Sequence, residues 1–539
     1  MNFEISVFIK NSYIHGTELL TKKEIVMRKL VVLLFAIMIG FAAVPSTYAA
    51  PQGTIVAALK GVSPTMDPHP KSNFIGAMIW KWCYDTLIGM EAGTGKKLPW
   101  LATKWKVHSP RKLELWLRKG VKFTDGTTFT AKNVEFAFSR IMAKGSRQRV
   151  FFKALERVEI VNDYQVILHS KPDNGMLNRL ARWGHAMSLK AKGVDKKIIS
   201  RKTLYGSGPY ILTEWAKGRK MVFDANPNWW ANSKYPNRPK KVILRGIKSS
   251  VTRVKALQKG EIDLVMGILP QYIPQIEKNP KLSVADIPAV RMMFISFVTR
   301  NGGPFADQNV RLAANYAIDA ELLRTTFLAG KAVISGSLFH PWNYAGYNKN
   351  DKWHGYDLKK AKAYMAKSKY PKGFKATVYA TIGRYPGDVK TCEALGGFFK
   401  EIGIKATCRT MPYSAWKKKR KSYQKGKGKG EAAVFVQGYG NSGGDPGNIA
   451  PATGGCKGHS SVHCFKDLDV QIDKAKFTAD PKQQQIEFEK VTAMMKEKAI
   501  FKILYKTNDI YAYKKGFGFN PRHDESFYVW EIDMSKVKK

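Results

Sequence analysis

Hydrophobic and polar positions follow two rhythms along this chain. Lys112-Leu-Glu-Leu-Trp-Leu-Arg118 is apolar at every second residue, the pattern of a half-buried strand. Asp125-Gly126 follows between strand-like runs, and both residue types accept the positive φ of a tight turn. After Thr130 the period lengthens: Val134, Phe136, Ala137, Phe138 and Ile141 fall mostly on one side of a helix that Thr130 caps. Val310, Ala313, Ala314, Ala317 and Ile318 repeat that spacing, with Asp307 at the N-terminus, where the helix dipole favours an acid. Asp357 opens another helix, with Leu358, Ala361 and Met365 on one side, and Pro209 gives a stiff entry to the strand Tyr210-Ile-Leu-Thr213. Strands and helices alternate throughout, which predicts an α/β fold of several domains.

Composition narrows this picture. At ~100–200 residues per domain, 539 residues allow roughly three structural units. With 44% hydrophobic and 12% aromatic residues, 45 Gly, 25 Pro and no repeat period, collagenous, coiled-coil and wholly disordered classes are excluded. Charge is the outlier, 90 Lys+Arg against 42 Asp+Glu, a balance that bears on solubility and contact with anions rather than on fold. It is densest from Lys417-Lys-Lys-Arg-Lys421 to Gly430. No aromatic platform interleaves those charges, so this stretch is expected to be a solvated hairpin tip, with no nucleic-acid partner. Gly/Pro-rich boundaries fall near Gly206-Ser-Gly-Pro209 and Asn301-Gly-Gly-Pro304.

The N-terminal region carries an address. Arg28 and Lys29 precede fifteen apolar residues from Leu30 to Val44, and Thr47 and Ala49 are small residues suited to cleavage before Ala50. This is the layout of a secretory signal peptide over 27–49, too short for a ~20-residue membrane span. Met27 is then the expected initiator, with 1–26 lying upstream of it. The product is expected to be exported, soluble and periplasmic. An oxidising compartment permits disulfides. Of the three pairings that four cysteines allow, we expect Cys456 with Cys464, eight apart in a loop, and Cys392 with Cys408, which bracket a helix and a strand. Cys83 stays outside both. The run Cys456-Lys-Gly-His459-Ser-Ser-Val-His463-Cys464 also has zinc-like spacing, but an oxidised sulfur offers no thiolate ligand, so a cystine is the stronger reading.

One ordered series of motifs spans nearly all of the remaining chain. It runs from Pro99-Trp-Leu-Ala102-Thr-Lys-Trp105 through Leu115-Trp-Leu-Arg118-Lys-Gly120-Val-Lys-Phe123-Thr-Asp125-Gly126 to Phe129-Thr-Ala131-Lys-Asn-Val134. Gly206-Ser-Gly208-Pro209-Tyr210, Asn226-Pro227-Asn-Trp-Trp230, Gly260-Glu-Ile-Asp263, Pro304-Phe305-Ala-Asp307-Gln-Asn-Val310-Arg311, Ala317-Ile-Asp319 and Ile402-Gly403-Ile404 follow. In that order the series resembles the family 5 solute-binding proteins of ABC importers, which include dipeptide-, oligopeptide- and nickel-binding members. The resemblance implies a two-lobed periplasmic-binding-protein fold (type II, cluster C-like) with an extra domain inserted in the first lobe. On this chain it implies a first lobe of 50–95, 206–297 and 506–539, an inserted domain of 96–205 and a second lobe of 298–505. It further implies a monomer without a cofactor, which closes over a small ligand by hinge motion and serves an inner-membrane ABC permease.

The resemblance also places a ligand. Gly438-Tyr439-Gly440-Asn441-Ser442-Gly443-Gly444-Asp445-Pro446 looks like the family's Trp-x-x-Asp and Asp-Pro element, which holds the ammonium group of peptides. Aligned on Asp445-Pro446, Tyr439 takes the tryptophan position and Ser442 the ammonium-binding acid position. A neutral hydroxyl there implies poor recognition of an α-amine. Arg384, in Gly383-Arg-Tyr-Pro386, resembles the arginine that meets a ligand carboxylate in dipeptide binders, and its planar fork suits that role. Met66 lies in a stretch resembling the first cleft-lining loop. The expected ligand contacts are therefore Tyr439, Gly440, Asn441, Ser442, Asp445, Arg384 and Met66. The expected ligand is a small polar or acidic, peptide-like solute, with a metal chelate such as nickel as the alternative. Gly440-Asn-Ser442-Gly-Gly444 matches the G-x-S-x-G nucleophile pattern, but Gly-Asp-Pro follows where that motif needs a helix, so an enzyme is not expected.

Overall fold

The computed structural model describes residues 50–70, 74–194, 205–341, 345–441 and 443–537. The expected signal segment and Ser442 lie outside the described residues. Among the described residues no helix is long and apolar enough to cross a membrane.

The alternating stretch forms the strand Lys112–Leu117, with Leu113, Leu115 and Leu117 buried and the intervening residues half-buried. It sits inside a four-stranded sheet ordered Ala102–Ser109, Lys112–Leu117, Gln165–Ser170, Leu155–Asn162, antiparallel throughout. Thr130 and Asn133 cap the helix Ala131–Met142 reciprocally, Thr130 N donating to Asn133 Oδ1 at 2.8 Å. Asp307 accepts from Asn309 N at 2.7 Å and starts the helix Gln308–Ala317, whose Val310, Ala313, Ala314 and Ala317 are buried. Asp357 does the same for Leu358–Ala366, accepting from Lys360 N at 2.9 Å.

One expectation is corrected here. The basic run at 417–421 is not a hairpin tip; it lies within the helix Tyr413–Gln424. Trp416, Arg420 and Tyr423 recur at i, i+4 and i+7 and form its buried side, while Lys417, Lys418 and Lys421 are exposed. Lys and Arg are good helix formers, and two rings give the segment a side worth burying.

An eleven-stranded sheet passes through both lobes. From one edge its path is Ile404–Met411, Phe374–Thr381, Ala433–Gly440, Leu282–Phe297, Phe501–Lys514, Leu264–Met266, Gln52–Leu59, Pro239–Gly246, Lys220–Ala225 and Tyr210–Ala216; Ala332–Val333 pairs with Phe501–Lys514 off that path. Leu282–Phe297 and Phe501–Lys514 are the long members at 16 and 14 residues, and their antiparallel register breaks between Pro288 and Met292. Such irregularities bend strands, and this one falls where the pair passes from one core to the other. One core gathers around Trp80, Trp82, Leu115, Phe138 and Leu180. The other gathers around Phe297, Phe305, Ala314, Val378 and Phe399.

In the second core Phe374–Thr381 runs parallel to both Ile404–Met411 and Ala433–Gly440, and the helices Asp388–Lys400 and Tyr413–Gln424 make the crossovers. Cys392–Cys408 fastens the first of these helices to Ile404–Met411; Cys456–Cys464 closes a loop further on, and Cys83 is buried outside both cystines. Parallel strands with helical crossovers present loops at their carboxyl ends, where α/β folds bind ligands.

Candidate ligand-binding site

Those three carboxyl ends open onto one cavity of about 540 Å³. Phe374–Thr381 leads to Arg384 and Tyr385, Ile404–Met411 to Tyr413, and Ala433–Gly440 to Tyr439, Asn441 and Asp445, all of which line it. The facing wall comes from the helix Met176–Trp183, from Phe151 and from Glu525. Each wall carries rings: Phe151 stacks on Trp183 with centroids 4.8 Å apart, and Tyr413 stacks on Trp416 at 5.9 Å.

Local interactions fix each group. The Asp388 carboxylate accepts from the backbone N–H of Arg384 at 2.9 Å and Tyr385 at 3.2 Å and from the Thr381 hydroxyl at 2.8 Å, which holds the loop that presents Arg384. The Tyr385 hydroxyl donates to Gly438 O at 3.1 Å. Opposite, Arg522 pairs with Asp524 at 2.8 Å, and Asp524 accepts from Ser526 N at 3.0 Å, shaping the turn that delivers Glu525. Glu525 itself has φ +53°, a left-handed backbone costly for a non-glycine residue and maintained by this network.

Among the described residues five arginines line the cavity (Arg179, Arg182, Arg291, Arg384 and Arg420) and two carboxylates, Asp445 and Glu525. Both carboxylates are taken. Glu525 pairs with Arg291 at 2.7 Å, packed so closely against Gly440 that a Cβ there would lie 2.9 Å from Arg291 Nη2. Asp445 pairs with Arg179, which also binds Asp173, and it caps the helix Pro446–Thr453 by accepting from Gly447 N at 2.9 Å. Burial pushes the Asp445 carboxyl up from its ordinary value and Arg179 pulls it back. Among the described residues the other three arginines make no ion pair, and Arg182 donates to the Ser526 hydroxyl at 2.6 Å. Arg384 is exposed at the rim, its guanidinium 4.6 Å from the Tyr413 ring centre. Arg420 is buried; it donates to Gln437 Oε1 at 2.8 Å and His459 O at 2.5 Å. Among the described residues neither has a carboxylate within ion-pair distance.

The predicted contacts therefore divide. Tyr439, Gly440, Asn441, Asp445 and Arg384 are brought together at one cavity. Within it Asn441 is turned inward, its amide donating to Asp445 O at 2.9 Å, and burial pushes the Tyr439 hydroxyl up. Ser442 lies outside the described residues. Met66 is a correction: it is 0% exposed, packed in the first core, and absent from the cavity wall. Its loop is anchored to that core, Trp80 Nε1 donating to Thr65 O at 2.8 Å. A helix begins at Pro446, beyond the G-x-S-x-G run. His459 lines the cavity while His463 is buried behind it, and burial lowers them to about 4 and about 3. Among the described residues no three His, Cys, Asp or Glu side chains are grouped to hold a metal ion.

Sequence reasoning missed Arg179, Arg182, Arg291, Arg420 and Glu525. The stripe Trp416–Arg420–Tyr423 was a readable signal for Arg420; the others come from segments far apart in the chain and carry none.

Comparison with known proteins accounts for this architecture. Residues 97–461 match the model of bacterial extracellular solute-binding proteins, family 5. The dipeptide-binding protein of Escherichia coli K12 is 23% identical over 453 residues, covering 77% of this chain and 82% of that protein. Glutathione-binding protein GsiB of the same organism is 26% identical over 402 residues, covering 72% and 75%. Among solved structures, the periplasmic binding protein DppA of Helicobacter pylori, in complex with the peptide STSA, superposes with a TM-score of 0.74 at 25% identity, covering 91% of this chain and 99% of that one. With its two cores, its shared sheet and the cavity between them, the chain belongs to the family 5 bacterial extracellular solute-binding proteins.

Proposed function

We propose that this protein captures an acidic solute lacking a free α-ammonium group and delivers it to an inner-membrane ABC permease, acting as a monomer and not as an enzyme. One observation carries the choice of ligand: each carboxylate of the cavity is already paired with an arginine, while Arg384 and Arg420 have no carboxylate of their own. An incoming ammonium would have to displace Arg179 or Arg291 from a buried pair, which is costly. An incoming carboxylate meets guanidinium groups with donors to spare. Rings on both walls supply apolar surface for the rest of a ligand of peptide size. Closure then follows from contacts that exist only when both walls meet the ligand.

The test is to export residues 27–539, purify the protein from the periplasm, denature it and identify the released small molecule by mass spectrometry. An acid without a free amine is expected. A stoichiometric peptide with a free N-terminus would overturn the ligand assignment. With the ligand in hand, Arg384→Ala should weaken binding by ~1.5–3 kcal/mol, the worth of a charge-assisted hydrogen bond; an unchanged Kd would remove Arg384 from the site.

A further inference from the structure

Arg420 is a buried cation on the wall of the cavity. It is 8% exposed, its Nε is buried with no hydrogen-bond partner, and its guanidinium lies 4.8 Å from the centre of the Trp416 ring. Its two bonds go to neutral acceptors, Gln437 Oε1 and His459 O. Since each Nη carries two hydrogens, one on each stays unused by these bonds. A buried guanidinium without a counter-charge is costly; Arg238, Arg253 and Arg311 are buried on backbone carbonyls alone, but they lie away from the cavity that Arg420 lines. Of the other buried arginines of the cavity, Arg179 is paired with Asp173 and Asp445 and Arg291 with Glu525, while Arg182 makes no ion pair but stands close enough to the Asp524 carboxylate to lower it.

Arg420 and the rim residue Arg384 stand at two ends of one surface. Arg384 lies over Tyr413, Tyr413 stacks on Trp416, and Arg420 lies over Trp416, so the two charges are separated by rings and not by a carboxylate. We infer that the cleft is built for a solute with two anionic groups, the first met at Arg384 and the second at Arg420, with the tyrosine and tryptophan faces covering the apolar spacer between them. This rests on the reading of the cleft as the site of an acidic solute and adds the number and placement of its charges. Bound ligand supplies the counter-charge that Arg420 lacks, so a solute with a single anionic group leaves that guanidinium unanswered on closure.

Two probes differing in one charge decide it: N-acetyl-glycyl-glutamate, with two carboxylates, and N-acetyl-glycyl-glutamine, with one, titrated by calorimetry into ligand-stripped protein. The glutamate probe should bind at least ten-fold tighter. Arg420→Gln should bring the two affinities to within about two-fold of each other, while Arg420→Lys, keeping the charge without the fork, should retain part of the preference. Thermal melting of each variant without ligand reports whether it folds, and the comparison of the two probes on the unaltered protein stands even where a variant does not. Equal affinities of the unaltered protein for the two probes, or an Arg420→Gln variant that keeps the ten-fold preference, would overturn the inference. If the glutamine probe binds in an Arg384-dependent way and the glutamate probe binds no better, the second subsite falls and the acidic-solute reading stands. If neither probe binds, both fall.

Discussion

The ion triad Arg179–Asp173–Asp445 joins the two walls of the cleft and lends itself to a quantitative test. Arg179 lies on the helix Met176–Trp183, whose Met176, Leu180 and Ala181 pack in the first core. Asp445 caps a helix whose Ile449 and Ala450 pack in a separate cluster. The side chains of Arg179, Asp173 and Asp445 are 8%, 4% and 6% exposed, so solvent screens them little. Arg179→Met would leave two buried carboxylates facing each other, and removing one member of a buried pair costs ~3–5 kcal/mol. Lys476 stands close enough to lower Asp445 and offsets part of that cost, which places the effect near ~3 kcal/mol. Opening the cleft rehydrates both carboxylates, so the cost falls on the closed form and not on the two cores. The closed–open equilibrium should shift roughly 100-fold toward open. Small-angle scattering should then report a larger radius of gyration, and Kd for the co-purified ligand should rise by a similar factor. The urea midpoint should move far less. Gly175→Ala provides a second probe: φ at Gly175 is −94°, which any residue adopts, yet a Cβ there would run into the Asp445 carboxylate. It should open the cleft in the same direction. A Kd within three-fold of the unaltered protein for Arg179→Met, with superimposable scattering curves, would refute the triad as an interlobe latch.

Two further outcomes follow from the same structure. Burial lowers His69, His354 and His459 to about 4 and His463 to about 3. The unfolded chain protonates them near pH 6.5 and the folded chain only below these values, so their contribution should be constant above pH 6.5 and be lost as pH drops from 6.5 toward 4. His463→Asn should flatten the slope of melting temperature against pH in that window; an unchanged slope would show that other groups set it. The Cys456–Cys464 cystine closes the loop that carries His459, whose carbonyl holds Arg420. For a loop of this length its loss should cost ~2.5 kcal/mol of stability in urea, and a Cys456→Ser/Cys464→Ser variant should lose affinity for acidic ligand as well. Loss of stability with full affinity would separate the loop from the site.

What the sequence determined by itself was local. Alternation at Lys112–Leu117, the caps at Thr130, Asp307 and Asp357 and the stripe from Val310 are short-range patterns, because helix ends and strand faces are set by neighbours within a few residues. Both cystines were legible for the same reason: eight and sixteen residues leave the chain few places to go. The order of family motifs carried the fold and the Tyr439–Asp445 loop. Charge composition misled at 417–421, where a Lys/Arg count concealed the Trp416–Arg420–Tyr423 side of a helix. Met66 was misplaced because sequence tells that a loop exists and not which way its side chains point. Only the tertiary structure decided which charges are spent and which are free for a ligand. Asp445 could not be known to be occupied until Arg179, 266 residues earlier in the chain, was seen to reach it. Arg420 could not be known to be unanswered until every carboxylate around the cavity had been assigned a partner. Electrostatic pairing acts through space over a few ångströms and is indifferent to separation along the chain, so the chemistry of the cleft emerges only when the lobes are assembled.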